Sequence, residues 1–220
     1  MRINHTISLT DCSLVSLLVV MAPEQLIVFV KNPIPGQVKT RIARTVGDAK
    51  ALDVYQHLLA YTQHLVSEFK GRCAVYYGDF VNADDGWNPF VKYQQAGVDL
   101  GERMHHAFDE QFRAGAGKVV IIGSDCFDIT SSHIHNAFAA LDTVDVVIGP
   151  ATDGGYYLLG MDQLQPFLFQ DMPWSQPELR QLTELAILQH GLTYAQLDEL
   201  TDIDEWTDYE AYVQKTSQPL

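Results

Sequence analysis

After Met21 the sequence alternates short apolar runs with segments of helical periodicity, and this alternation restricts the chain to few folds. Residues 25–30 are almost wholly apolar, as expected for a strand that is covered on both faces. From Asp48 to Phe69 apolar residues recur at three- and four-residue spacing, which predicts a long helix with Asp48 available as its N-cap. Such alternation is typical of βαβ units, so we expect a doubly wound α/β domain with a mostly parallel sheet.

The same alternation continues to the C-terminus. Apolar runs predict further strands over residues 72–77, 118–122, 144–148, 156–159 and 193–197. Helical periodicity and cap residues predict further helices over 100–112, 131–141, 177–189 and 205–214, the second of them capped by Ser131 or Ser132. Because no segment in this region resembles a linker, we expect a single domain over residues 21–220.

Residues 1–20 are expected to stand apart from this domain. Their apolar run over 14–20 is too short to span a bilayer, and one basic residue, Arg2, precedes it. We interpret 1–20 as a loosely ordered leader that follows an upstream start codon, with a secretion signal as the alternative. The three cysteines form no C-x-x-C pair, which favours reduced thiols and a cytoplasmic protein.

The charge balance narrows the choice of ligand. A formal net charge of −14 at pH 7 repels a polyanionic backbone, which argues against nucleic acid as a general partner. The few basic residues are therefore informative, and Lys31, Lys39, Arg41 and Arg44 fall in one short stretch. We expect this stretch to receive a small anionic ligand.

This basic stretch follows the first predicted strand, and open α/β sheets bind ligands at the carboxyl ends of their strands. Gly36 allows the backbone to come close to a ligand, while Lys39 and Arg41 supply the cations that phosphate oxygens require. The alternative is a Pro/Gly turn with exposed lysines.

Two aspartates follow later predicted strands. Asp125, in Gly123-Ser-Asp-Cys126, is placed where a carboxylate can hold a divalent ion that bridges a diphosphate, although it could also only shape an Asx-turn. Asp153 lies in an Asp-Gly-Gly turn, which is also a common hairpin signal. If both strands flank one pocket, the two carboxylates would suit a metal ion or a general base.

Four ordered motifs together resemble the small bacterial glycosyltransferase-A-like (GT-A) family of the nucleotide-diphospho-sugar transferase superfamily, often described only as an uncharacterised glycosyltransferase. The resemblance covers nearly everything after Met21. It is carried by Lys31-x-Pro-x-Pro-Gly-x-Val-Lys-Thr-Arg41, Gln95-x-Gly-x-Asp-Leu-Gly-Glu-Arg-Met104, Gly123-Ser-Asp-Cys126 and Asp153-Gly-Gly-Tyr-Tyr-Leu-Leu-Gly160.

The resemblance implies a three-layer α/β/α Rossmann-like GT-A fold, a nucleotide-activated donor, and Mg²⁺ or Mn²⁺ held by Asp125. Asp204, in the segment Asp202-Ile-Asp-Glu-Trp-Thr-Asp208, would add a metal ligand, although it could instead cap the last helix. Asp153 is the first candidate for a general base, with Glu102 second. The residues that the resemblance places around the substrates are Lys31, Gly36, Lys39, Arg41, Gln95, Gly97, Asp99, Arg103, Ser124, Gly154, Gly155 and Trp174.

Three functions are compatible with this pattern. The first is metal-dependent glycosyl transfer from a nucleotide-diphospho-sugar to a small acceptor. The second is nucleotidyl transfer to a phosphorylated small molecule, because the cationic motif also resembles the 2-phospholactate and molybdenum-cofactor guanylyltransferases. The third is a catalytically silent nucleotide-binding protein.

Overall fold

The computed structural model describes residues 23–217, so the predicted leader over 1–20 lies outside the described residues. In this range no helix is both long and apolar enough to cross a membrane. The strands are β1 (Glu24–Val30), β2 (Arg72–Tyr77), β3 (Val91–Gln94), β4 (Lys118–Ile122), β5 (Val146–Pro150), β6 (Tyr156–Met161) and β7 (Tyr194–Gln196). The helices are α1 (Thr40–Val46), α2 (Asp48–Ser67), α3 (Leu100–Arg113), α4 (Ser131–Ala140), α5 (Leu179–Gln189) and α6 (Trp206–Ser217).

Within residues 23–217 the strands form one seven-stranded sheet in the order β3-β2-β1-β4-β6-β5-β7. Every neighbouring pair is parallel except the two that involve β6, which runs antiparallel to β4 and to β5. The predicted mostly parallel α/β fold is thereby confirmed. The Asp-Gly-Gly segment is the turn that reverses the chain between β5 and β6.

The alternation of side chains along β1 divides the interior into two cores, because successive residues of a strand point to opposite faces. Leu26, Val28 and Val30 pack with buried residues of α2 and α4, and α6 lies on the same face. Ile27 points to the other face, where α3 and α5 pack. The sheet is therefore covered on both sides, as its apolar strands predicted.

The structure corrects both predicted helix caps. Gly47 occupies the N-cap position of α2, and Asp48 is the first helical residue, where its negative charge favours the helix N-terminus. The N-cap of α4 is Thr130, whose backbone N–H donates to Nδ1 of His133 at 3.0 Å, so neither Ser131 nor Ser132 has that role.

Among the strands and α-helices, α1 and β3 were not predicted, because each is short and polar. α1 has seven residues and begins at the end of the cationic motif, and only Ile42 among them is buried. β3 has four residues, none of them buried, and follows the Asp- and Gly-rich loop over 78–90. Short edge elements of this kind lack the apolar periodicity on which the prediction depends.

Strand directions determine where the functional loops meet. β1, β4 and β5 are parallel, so the segments that follow them emerge at the same edge of the sheet. β6 is antiparallel and begins at that edge, directly after the Asp-Gly-Gly turn. The cationic motif, Asp125 and Asp153 are thus brought to one side of the molecule, as the sequence predicted.

Candidate functional site

A cavity of about 660 Å³ opens at the carboxyl edge of the sheet. It lies between the segments that follow β1, β4 and β5, the beginning of α3, and the segment that precedes α6. Its wall contains most of the residues that the sequence singled out, namely Lys31, Lys39, Arg41, Gln95, Asp99, Arg103, Ser124, Asp125, Asp153, Gly155 and Asp204.

Lys39 is the central cation of the cavity. Its Nζ lies 2.6 Å from Oδ1 of Asp125 and 3.6 Å from Oδ1 of Asp204, and its side chain is only 7% exposed. Burial by itself lowers the pKa of Lys39, but the nearby carboxylates, with Asp125 foremost, raise it above its usual value. The ammonium group therefore stays charged between two carboxylates.

Arg41 contacts the carboxylate of Asp204 from the solvent side. Its Nη1 lies 3.2 Å from Oδ2 of Asp204, and more than half of its side chain is exposed. Ion pairs this exposed contribute little to stability, so the contact leaves the guanidinium available to another anion.

Asp202 joins this group and was not a predicted site residue. It lines the cavity beside Lys39, and burial, followed by the charge of Asp125, raises its pKa to about 7. The charges of Asp204 and Asp153 also raise the pKa of Asp202, whereas the charge of Lys39 lowers it. Among the described residues Lys39 is the one buried ammonium at these carboxylates, and it cannot neutralise all of them.

Tyr55 connects two loops of the site and was also missed. From α2, its hydroxyl accepts from the backbone N–H of Lys31 at 2.8 Å and lies 3.5 Å from Oγ of Ser124. It therefore links the end of β1 to the Gly-Ser-Asp segment after β4. Its place in the apolar stripe of α2 predicted a core residue, and no sequence signal distinguished it.

Asp153 lines the cavity, but one of its oxygens is already engaged. Oδ1 accepts from the backbone N–H of Gly155 at 2.9 Å in an Asx-turn, within the hairpin that the Asp-Gly-Gly sequence signalled. Gly154 has a φ of +89°, and a Cβ there would overlap the carbonyl oxygen of Pro177. The turn is therefore held tightly against the segment that leads into α5, with Oδ2 of Asp153 left free of protein hydrogen bonds among the described residues.

The segment before α3 is organised by its own polar groups. Asp99 caps the helix by accepting from the backbone N–H of Glu102 at 2.9 Å, and the carboxylate of Glu102 accepts in turn from Val98 N–H. Nε of Arg103 donates to the carbonyl of Gly97 at 3.1 Å. One oxygen of Glu102, the second candidate for a base, thus holds this loop, and unlike Asp153 it does not line the cavity.

Four predicted substrate residues do not line the cavity: Gly36, Gly97, Gly154 and Trp174. Gly36 and Gly97 both have positive φ values, which favour glycine in the bends beside the cavity. The indole of Trp174 packs directly on Gly101 at the start of α3, where any Cβ would collide with it. Trp174 thus covers the beginning of α3 instead of facing the ligand space.

Cys126 also lines the cavity but is not a candidate nucleophile. Burial raises the pKa of its thiol to about 12, and its Sγ contacts the carbonyl of Thr201 at 3.5 Å. The reactive form of cysteine is the thiolate, so Cys126 remains protonated and inert near neutral pH.

Nowhere in residues 23–217 are three His, Cys, Asp or Glu side chains arranged to hold a metal ion by themselves. Asp125 and Asp204 nevertheless both face one cation position, now held by Nζ of Lys39. Mg²⁺ is commonly bound by only one or two carboxylates, with phosphate and water oxygens completing its coordination. The residues present therefore fit a divalent cation that arrives with a phosphate ligand.

Comparisons with known proteins agree with the fold. The model of the family described as "Uncharacterized protein conserved in bacteria (DUF2064)" matches residues 45–176. The chain is 31% identical to a protein from Desulfovibrio desulfuricans G20 with the provisional name of nucleotide-diphospho-sugar transferase. The match covers 90% of each chain, with a TM-score of 0.82. No protein with a curated description matches the chain.

More distant structures share the fold. A cytidylyltransferase from Leptospira borgpetersenii is 12% identical with a TM-score of 0.58, over 90% of this chain and 88% of the other. Glucosyl-3-phosphoglycerate synthase from Mycobacterium tuberculosis, solved with Mn²⁺ and UDP, is 10% identical with a TM-score of 0.51, over 88% and 76% of the two chains. At sequence identities this low, the similarity shows that the fold is shared and nothing more.

Proposed function

The chain belongs to the DUF2064 family of bacterial proteins, and on that premise we propose that it transfers a glycosyl group from a nucleotide-diphospho-sugar to a small acceptor. The motif resemblance is confirmed at the family level by the relative at 31% identity, which has a provisional name of the same kind. The activity itself is proposed from the site.

One observation carries the proposal: a buried ammonium and two carboxylates converge inside the cavity at the carboxyl edge of the sheet. Lys39 contacts Asp125 and Asp204 there, while Arg41 and Lys31 line the same wall. A diphosphate needs several cations around its oxygens, and Lys31, Lys39 and Arg41 would supply them together with a divalent ion held by the carboxylates.

The residues divide into donor-binding and reaction roles. Lys39 and Arg41 bind oxygens of the diphosphate, and Asp125 with Asp204 would hold Mg²⁺ or Mn²⁺. Such an ion supplies Lewis-acid stabilisation of the leaving nucleoside diphosphate. Gln95, Asp99 and Arg103, with Gly97 shaping their loop, border the nucleoside.

Asp153 is assigned to the acceptor side, as a general base. Its free oxygen Oδ2 takes the proton of the acceptor hydroxyl while that oxygen bonds to the anomeric carbon of the sugar and the bond to the diphosphate breaks. Gly154 and Gly155 give this aspartate its position, and Ser124 supports the neighbouring loop. Trp174 fixes the start of α3 rather than contacting the acceptor.

Nucleotidyl transfer is the second candidate, and the number of cations favours it. Lys31, Lys39 and Arg41 all line the cavity, which would also suit a nucleoside triphosphate. The Leptospira protein of the same fold is named a cytidylyltransferase. In that reaction a phosphorylated acceptor attacks the α-phosphate and pyrophosphate leaves.

The test is a thermal-shift panel of nucleoside di- and triphosphates and nucleotide sugars, each with and without Mg²⁺ or Mn²⁺. We expect one diphosphate or nucleotide sugar to raise the melting temperature of the wild type only with metal, and to have no effect on Asp125→Asn. Asp128→Asn is the matched control, because Asp128 pairs with Lys215 and does not line the cavity.

Two outcomes would count against glycosyl transfer. A response to triphosphates alone, with pyrophosphate released when phosphorylated acceptors are added, favours nucleotidyl transfer. No response to any nucleotide, with or without metal, removes both proposals.

A further inference from the structure

We propose that Lys39 and the divalent cation compete for one position between Asp125 and Asp204, so that entry of the cation moves the Lys39 ammonium onto the donor phosphate. The inference rests on the proposed function, because it concerns the same metal and the same donor. It adds a prediction about binding. The cation and the nucleotide bind cooperatively, and Lys39 is the residue that couples them.

The first argument is geometric. Nζ of Lys39 lies within 3.6 Å of both Asp125 Oδ1 and Asp204 Oδ1. A cation that uses both carboxylates must sit between them, which is the place that the ammonium occupies. A divalent ion and an ammonium group repel each other strongly at contact distance, so the two cannot share it.

The second argument is that the backbone of Lys39 is fixed while its head group is able to move. Lys39 has a φ of +47°, a left-handed conformation that is rare for a residue with a Cβ and persists only where its surroundings impose it. Its neighbours Val38 and Ile42 are buried in the core. The lysine side chain is a flexible stem of four carbons, so rotation about its bonds lets the ammonium change partners without movement of the loop.

The third argument is the excess of negative charge. Asp125, Asp153 and Asp204 line this part of the cavity, and Lys39 is the one buried ammonium there among residues 23–217. When no cation is bound, Lys39 partly neutralises this group. When a divalent cation neutralises the carboxylates instead, the ammonium becomes available to the phosphate that binds with that cation.

The first experiment uses the wild-type protein and measures the reactivity of single lysines. Brief treatment with acetic anhydride, followed by mass spectrometry of peptides, reports how accessible each ammonium group is. We expect Mg²⁺ to increase acetylation of Lys39, because it loses its carboxylate partners. Lys92 is the internal control, since it is similarly buried and ion-paired, with Asp85 at 2.8 Å, and does not line the cavity.

Nucleotide should then reverse the effect. We expect UDP or GDP, whichever binds, to protect Lys39 in the presence of Mg²⁺, because the phosphate takes the released ammonium. Unchanged reactivity of Lys39 upon saturation with Mg²⁺ would overturn the inference, whatever the variants show.

The second experiment measures Mn²⁺ binding by electron paramagnetic resonance without nucleotide. Lys39→Met should bind Mn²⁺ at least about fivefold more tightly than the wild type, the lower end of typical coupling between sites. Lys92→Met is the matched control: it removes one positive charge from a similarly buried lysine that pairs with a carboxylate, Asp85, but does not line the cavity, so its Mn²⁺ affinity should stay within about twofold of the wild type.

The coupling itself distinguishes the two proposals. In the wild type, nucleotide should tighten Mn²⁺ binding, and in Lys39→Met this gain should be smaller. Mn²⁺ binding that weakens in Lys39→Met means that Lys39 supports the metal site, and overturns this inference alone. Absence of Mn²⁺ binding by the wild type even with nucleotide overturns the metal-dependent function as well. If Lys39→Met does not fold, the acetylation experiment on the wild type decides.

Discussion

Tyr55 joins two loops of the site through one hydroxyl group, and its loss should be felt in both stability and binding. In Tyr55→Phe the backbone N–H of Lys31 loses its acceptor, which should cost about 1–2 kcal/mol of unfolding free energy. We also expect weaker nucleotide binding, because the loops of Lys31 and Ser124 are no longer linked. Urea unfolding and nucleotide titration measure the two effects.

The control for this variant is Tyr61→Phe, which removes a hydroxyl that donates to the carbonyl of Ile129 at 2.7 Å. It should lose stability to a similar extent but keep its affinity for nucleotide. Equal nucleotide affinity in Tyr55→Phe and the wild type would show that Tyr55 is only a core residue.

Individual site residues were predictable where their type and position in the chain both pointed to ligand chemistry. Lys39, Asp125 and Asp204 are far apart in sequence, yet each follows or precedes a predicted element at the carboxyl edge, and the structure brings their charged groups together. Tyr55 and Asp202 were missed. Their roles depend on contacts across the fold, and neither periodicity nor motif spacing encodes such contacts.

The hairpin between β5 and β6 should be intolerant of a side chain at Gly154. Gly154→Ala imposes a left-handed φ on alanine, at about 1–2 kcal/mol, and adds a collision with the Pro177 carbonyl at about 1–3 kcal/mol more. Gly115→Ala is the control, because Gly115 has a similar φ of +88° and no neighbour within 4 Å of a Cβ. Equal losses of unfolding free energy in urea would contradict the close packing of this turn.

The loop between β2 and β3 is held by one carboxylate, and this predicts a pH-dependent variant. Asp85 accepts from Lys92 Nζ, from the hydroxyl of Tyr77 and from Trp87 N–H. Burial works to raise its pKa, but these hydrogen bonds hold the pKa of Asp85 below its usual 3.8. The carboxylate therefore contributes stability that is present above that value and is lost as the pH falls through the lower folded pKa.

Asp85→Asn should accordingly lose about 1–3 kcal/mol of unfolding free energy at neutral pH, and the difference from the wild type should shrink below about pH 4. Urea unfolding of both proteins across this range measures it. If the difference in unfolding free energy stays constant down to acid pH, the variant is destabilised by the shape or packing of the amide and not by the loss of the negative charge.

Elements with a strong apolar pattern were predicted to within about two residues, β5 among them, which was predicted over 144–148 and lies at Val146–Pro150. β2 and β4 have their predicted bounds, because a strand buried on both faces must be apolar throughout. The predicted α5 begins two residues early, at 177, because Pro177 suits a helix start but its carbonyl packs on the β5–β6 turn instead. Helix starts are determined by such tertiary contacts as well as by caps.

The net charge of the whole chain gives a last prediction. With a formal charge of −14 at pH 7, the folded state is opposed by its own repulsion, which unfolding relieves. Sodium chloride raised from about 0.01 M to about 0.1 M shortens the screening length from about 30 Å to about 10 Å, so the melting temperature should rise. Near the isoelectric point of about 4.7 the same salt series should produce no rise, because little net repulsion remains to be screened.

Calorimetry in buffers without divalent cations measures both series. A melting temperature that falls with salt at neutral pH would show instead that local ion pairs, such as Lys39 with Asp125, outweigh the repulsion of the whole chain.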